Sequence, residues 1–151
     1  MTTRHILSAA LIALLVAVYA STSVGEIPNR SEKRLTESAS HIVSGKVVRT
    51  YERTKKTSAN FERTYGVAEI SADDVKKGAD IAPGDRVFVC YWRKRWIGQG
   101  EPTPDHYGHR NIPAEKDSVV VYLKGDRKRG FDVMSPNGFF AVTKATKNDE
   151  T

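Results

Sequence analysis

Short apolar segments alternate with turn-forming residues between positions 41 and 142 of the chain. Isoleucine, valine, tyrosine and phenylalanine predominate in six of these segments: residues 41–49, 65–70, 87–92, 117–123, 131–134 and 139–142. Glycine, proline, asparagine and aspartate lie between them, as in Pro83-Gly84-Asp85 and Ser135-Pro136-Asn137-Gly138. Five or six short strands at this spacing predict an all-β fold, either a small barrel or a sandwich.

The segments at 87–92 and 117–123 are apolar at successive positions, so both faces of each predicted strand should be covered. A closed barrel explains this pattern, because one face of each strand would fill its interior and the other would lie under loops or a short helix. Cys90 falls inside the first of these segments, which predicts a buried, unreactive thiol. Single helical turns are predicted at residues 31–35 and 73–77, and a bend at Gly45.

The N-terminal residues are typical of an export signal. Arg4 and His5 precede an apolar run at 6–18, which is shorter than the roughly 20 residues of a membrane-spanning helix. We therefore expect a signal peptide at 1–20, cleaved after Ala20 or near Gly25, although an uncleaved membrane anchor is the alternative. A polar tether at 21–40, one domain at 41–143 and a loose tail at 144–151 complete the expected organisation.

Composition narrows the class of protein. Cys90 is the single cysteine, so no disulfide can form within the chain, which favours a bacterial envelope protein over a small animal extracellular domain. The formal net charge is +6, a modest value that is compatible with polyanion binding without requiring it. The expected location is the periplasm or the extracellular space.

Three stretches carry a resemblance to a known group of barrels. They lie at residues 42–48, where a glycine interrupts a β-branched strand, at 68–78, which ends in Lys77-Gly78, and at 83–89, which follows Gly84-Asp85. This arrangement resembles the oligonucleotide-binding (OB) fold, a five-stranded Greek-key barrel, and in particular its netrin-like and metalloproteinase-inhibitor-like branch. The resemblance implies a barrel in an exported protein, but the family's N-terminal cysteine and disulfides are missing, so no inhibitory residue is implied.

The candidate contact surface is the stretch from Trp92 to Trp96, which encloses Arg93, Lys94 and Arg95. Residues 98–113 follow as a long predicted loop that contains Tyr107 and Arg110. Aromatic rings can stack on sugars or bases while cations hold phosphate, sulfate or carboxylate groups. Alternatively, the tryptophans only close one end of the barrel and the cations form a solvated rim.

A second basic cluster, Arg127-Lys128-Arg129, occurs in a predicted hairpin loop. We expect it to share one face of the barrel with Arg93, Lys94 and Arg95, since several loops frame the binding face of an OB-type barrel. The alternative is a charged hairpin tip that discourages pairing between sheet edges.

Asp105, His106 and His109 form the pattern D-H-x-x-H, which could contribute zinc ligands, although loop packing is the alternative. No serine occurs in a nucleophile elbow, and no phosphate-binding loop or nucleotide motif is present. The sequence therefore predicts a non-catalytic binding module without a cofactor, which contacts an envelope protein or an anionic polymer. A metal-dependent hydrolase and an inhibitor-like protein-interaction module are the alternatives.

Overall fold

The computed structural model describes residues 27–100 and 108–142. One helix, α1 (Glu32–Ser38), precedes six strands: β1 (His41–Lys56), β2 (Phe61–Lys77), β3 (Arg86–Trp96), β4 (Ser118–Asp126), β5 (Gly130–Val133) and β6 (Phe139–Ala141). The predicted all-β class is confirmed. No helix among the described residues is long and apolar enough to cross a membrane. The predicted signal peptide and the tail at 144–151 lie outside the described residues.

Five strands close into a barrel in the order β1-β2-β3-β5-β4, with β4 pairing back to β1. All neighbours are antiparallel except β3 and β5, which are parallel. The sixth strand, β6, pairs with the start of β4. This arrangement is compatible with the predicted OB-like barrel.

The predicted bend at Gly45 is confirmed. The register between β1 and β2 shifts at Ser44/Gly45, and a Cβ at Gly45 would lie 2.1 Å from the carbonyl oxygen of Ser71. Only glycine allows the two backbones to approach so closely. β1 pairs with β2 along one edge and, at residues 41–46, with β4 along the other.

A single apolar core fills the barrel. Its members are alternate residues of the strands, with Val43, Ile70, Val89, Val121 and Phe139 all completely buried. This period of two is the expected pattern for a strand that has one face toward a core.

The helix covers the outside of β1 and β4. Leu35 is fully buried in a second apolar cluster with Ile42, Tyr122 and Met134, and Ser31 caps the helix by accepting a hydrogen bond from the backbone N–H of Arg34. Both faces of β4 are therefore covered, as predicted, and the predicted helical turn at 31–35 is present. Within the expected polar tether, Leu35 and Ala39 therefore belong to a core, whereas Ile27 is exposed.

β3 does not have both faces covered, which corrects the prediction. Val87, Val89 and Tyr91 point into the barrel, whereas Phe88 is 52% exposed and Cys90 is also exposed. The prediction that Cys90 is buried is therefore wrong. An apolar side chain on the outward phase of a strand is buried only if another element lies over it, and no described element covers this part of β3.

The predicted helical turn at 73–77 is also wrong. These residues continue β2 and pair with the start of β1, with Val43 opposite Val75 and Ile42 opposite Lys77. The ladder to β1 satisfies the backbone groups that a helical turn would otherwise have bonded.

Three strands extend beyond the closed part of the barrel. Pairing between β1 and β4 ends at Lys46, and pairing between β3 and β5 ends at Cys90. Beyond these points residues 49–56 of β1, 61–69 of β2 and 91–96 of β3 continue as a three-stranded arm. Residues 93–96, which were expected at or beyond the strand end, are part of this arm.

Candidate binding surface

The arm separates two cations of the predicted site, Arg93 and Arg95, from its tryptophans. Register pairs Arg93 with Thr64 and Trp92 with Tyr65, so consecutive residues of β3 point to opposite faces of the arm. Arg93 and Arg95 share the face that continues from the barrel interior, here called the inner face. Trp92, Lys94 and Trp96 lie on the opposite, outer face.

Both arginines of the inner face are engaged in ion pairs. Arg93 donates to Glu52 over 3.2 Å, and Arg95 lies 2.6 Å from Glu62. Glu52 also accepts a 2.9 Å hydrogen bond from the hydroxyl of Tyr91. Burial, followed by this hydrogen bond, raises the pKa of Tyr91, so its hydroxyl remains a donor. Glu52 and Glu62 therefore neutralise Arg93 and Arg95, and Glu52 also links β1 to Tyr91.

The outer face consists of cross-strand rows of aromatic and cationic side chains. Arg53, Tyr65 and Trp92 lie directly opposite one another on the three strands, and Lys55, Arg63 and Lys94 form the next row. The rows on either side hold Tyr51, Val67 and Cys90 toward the barrel, and Phe61 with Trp96 toward the tip.

The rings and cations of the outer face contact one another. The guanidinium of Arg63 lies 4.7 Å from the centroid of the Trp92 ring, and Lys94 Nζ lies 3.8 Å from the centroid of the Phe61 ring. Phe61 in turn meets Trp96 edge-to-face at 4.9 Å between centroids. These contacts hold the side chains in place, because cation–π and edge-to-face pairs each contribute up to about 1 kcal/mol.

A groove of about 380 Å³ opens beside these rows. Tyr51 and Tyr65 flank it, with Val67 and Cys90 between them, and both tyrosines are nearly half exposed. The groove is thus an apolar strip beside cationic side chains, and the rings of Tyr51 and Tyr65 are accessible to a ligand there.

Several cations of this face lack an acidic partner within the described residues. Arg49, Arg53, Lys55 and Arg63 make no ion pair with a described acid. Two described acids lie on or beside this face: Glu69, which Arg86 holds at 2.6 Å, and Asp132, which lies opposite Cys90 on β5. The outer face is therefore positively charged, unlike the inner face.

The second basic cluster lies at the other end of β3. Arg127 contacts Asp85, and its backbone N–H donates to Asp80 over 2.9 Å, while Arg129 is paired with Asp126 at 2.7 Å. The parallel register of Phe131 with Val89 places residue 129 level with residue 87, roughly 20 Å along the strand from Arg93. The expectation that the two clusters share one face is therefore wrong.

His109 closes the gap between β3 and β5. Its Nδ1 accepts from the backbone N–H of Trp92 over 3.0 Å, and its Nε2 lies 2.7 Å from the carbonyl oxygen of Val133. Both ring nitrogens are thus used by backbone groups, which leaves neither for a metal in this conformation. Asp105, His106 and Tyr107 lie outside the described residues, and no metal-binding group occurs among the described ones.

Arg110, the last candidate of the predicted loop, joins the barrel to the segment before the helix. Its guanidinium donates to Asn29 Oδ1 over 2.8 Å and to the carbonyl oxygen of Ile27 over 2.9 Å. Arg110 is therefore tied to the start of the described chain.

Residues that sequence reasoning missed complete the outer face: Tyr51, Arg53, Lys55, Phe61, Arg63 and Tyr65. The signal was available in residues 49–65, where aromatic and basic side chains recur at every second position on both sides of a polar turn. Comparisons with family models, with curated proteins and with solved structures found no match to this chain.

Proposed function

We propose that the protein is an exported, non-catalytic binding module that binds an anionic polymer through the outer face of its three-stranded arm. The observation that carries the proposal is the juxtaposition of the row Arg53, Tyr65 and Trp92 with the row Lys55, Arg63 and Lys94. Within the described chain, four cations of this face have no acidic partner, and exposed rings lie between them.

This combination suits a repeating polyanion. Rings stack on sugars or bases, each worth about 1–3 kcal/mol where measured for single-stranded nucleic acids, and flanking cations bind the charged groups. A cation contributes to polyanion binding only if no acid of the protein is paired with it, because an internal ion pair weakens its attraction for a ligand anion. Arg53 and Lys55 meet this condition, whereas Arg95 and Arg129 do not.

Binding of a heparin oligosaccharide and of an oligothymidylate, measured by fluorescence anisotropy at about 50 and about 200 mM salt, tests the proposal. We expect the affinity to fall steeply with salt. The double variant Arg53→Gln, Lys55→Gln should bind more weakly. The slope of log affinity against log salt concentration for the oligothymidylate should become less steep by about 0.7 for each phosphate contact that is lost. Both side chains are exposed, so the fold should be retained.

The matched control is Lys128→Gln, Arg129→Gln, which removes the same amount of charge at the other end of β3. It should bind as the parent does. Equal losses in the two double variants would show that only net charge matters, and no binding of either polymer by the parent would reject the proposal.

Export is a separate part of the proposal and is supported by the sequence at 1–20 alone. N-terminal sequencing of protein recovered from the envelope or medium should begin at Ser21, or near residue 26 for the second cleavage site. The netrin-like branch is supported by the same three short stretches and by the OB-like barrel, while the single cysteine argues against its disulfide framework.

A further inference from the structure

One edge of β1 is open along the arm. β4 pairs with β1 only at residues 41–46, and β2 occupies the opposite edge as far as Lys56. The connection before β4 covers the next positions, where Val47 bonds to Asp117 and Lys116. Beyond Thr50, no strand of the described chain lies along this edge.

Alternation along the ladder identifies the backbone groups that face outward. The N–H of Thr50 points away from β2, toward a carboxylate oxygen of Glu115 at 3.4 Å. In an antiparallel ladder every second residue has this orientation, so Glu52, Thr54 and Lys56 present their N–H and C=O groups at the open edge. This row is a template for one more strand.

Charges beside the edge determine which strand can bind there. Arg53 and Lys55 are exposed on the outer face and Lys56 on the inner face, whereas Glu52 is occupied by Tyr91 and Arg93. A second copy of β1 paired antiparallel about Thr54 would place Arg53 opposite Lys55, a like-charge pair that is unfavourable across strands. The same cations favour acidic residues in a different partner.

We propose that residues 51–56 of β1, beyond the Thr50 N–H that faces Glu115, bind an extended acidic peptide segment as an added strand. The peptide backbone pairs with Glu52, Thr54 and Lys56, and its acidic side chains at alternate positions lie opposite Arg53 and Lys55. Backbone pairing supplies affinity, and the charges supply selectivity. This site uses the backbone edge of the arm and shares Arg53 and Lys55 with the outer face that is proposed to bind the polymer.

A labelled peptide of alternating threonine and glutamate tests the site, with an alternating threonine–lysine peptide as the comparison. We expect the acidic peptide to bind in an anisotropy assay and to slow amide hydrogen exchange at Glu52, Thr54 and Lys56 in NMR spectra. Thr54→Pro removes one outward N–H without breaking the ladder to β2, and should weaken binding by about tenfold.

Thr54→Val is the matched control, because it removes the 2.8 Å hydroxyl contact with Thr64 and keeps the backbone N–H. It should bind the acidic peptide as the parent does. Equal binding of the lysine peptide, unchanged exchange at Glu52 and Thr54, or equal losses in the two Thr54 variants would overturn the proposal. Protection of these amides before any peptide is added would overturn it too, since the edge would then be occupied already.

Discussion

The ring of Tyr91 occupies the space in which Gly66 would carry a side chain. A Cβ at Gly66 would lie 2.1 Å from Cζ of Tyr91, on the strand position directly opposite. The absence of a side chain lets Tyr91 cross β2 and donate its hydroxyl to Glu52 on β1. The ring also meets Phe139 edge-to-face at 5.7 Å between centroids. Tyr91 thus links the barrel core to the arm.

Gly66→Ala should therefore destabilise the protein, because the methyl group would displace a buried ring. Overpacking of this kind typically costs about 1–3 kcal/mol, which should appear as a lower midpoint of urea unfolding.

The double variant Gly66→Ala, Tyr91→Leu identifies the cause. If the clash with the ring is responsible, adding Gly66→Ala to Tyr91→Leu should cost clearly less than adding it to the parent. The same cost in both backgrounds would mean that backbone strain at Gly66, and not the Tyr91 ring, is responsible.

Leu35→Ala should show that the domain begins before residue 41. Leu35 is completely buried against Ile42, Tyr122 and Met134, so its truncation should cost about 2–5 kcal/mol in the free energy of unfolding. Lys33→Ala, on the exposed side of the same helix, is the control and should change stability little. A loss below about 0.5 kcal/mol for Leu35→Ala would mean that the helix does not dock as described.

The barrel could be predicted from the sequence because β-branched residues and turn signals mark its strands. The position of Gly45 within a β-branched run likewise predicts the irregularity at which β1 and β2 shift register. Residues 73–77 could not be assigned correctly, because their local composition favours a helix start while their pairing with β1 is non-local. Cys90 was misassigned because hydrophobicity alone does not show which phase of β3 meets the core.

The candidate site could be predicted only in part. Trp92, Lys94 and Trp96 do lie on one surface, but Arg93 and Arg95 face the other way because the segment is strand and not loop. The partners that complete the outer face, such as Arg53, Arg63 and Tyr65, are distant in sequence. Only the register of three strands brings them together, and register is set by pairing that the local pattern does not specify.

Asp80 should make stability depend on pH in the acidic range. The backbone N–H of Arg127, followed by the contact with His41 Nε2, lowers the pKa of Asp80 below its ordinary value of 3.8. A carboxyl group with a lowered pKa binds protons more weakly in the folded than in the unfolded chain. The contribution of Asp80 to the free energy of unfolding is therefore complete above its pKa in the unfolded chain, and it is lost as pH falls through its pKa in the folded protein.

Asp80→Asn should lower stability at neutral pH and flatten the decline of the urea midpoint as the solution is made acidic. Asp73→Asn is the control, since Asp73 is exposed and makes no hydrogen bond with a described side chain. Parallel pH profiles for the parent and Asp80→Asn would contradict the assigned role of Asp80.

Cys90 should be accessible yet slow to react. The residue is exposed beside Tyr51 and Tyr65, but partial burial of its thiol, followed by the charge of Asp132, raises its pKa above the ordinary value of 9.0. Since the thiolate is the reactive form, the folded protein should react completely with an aromatic disulfide reagent, at a rate below that of free cysteine at neutral pH. Asp132→Asn should increase the rate by lowering the thiol pKa, whereas Asp73→Asn should not. A thiol that reacts only after unfolding would show instead that Cys90 is covered in solution.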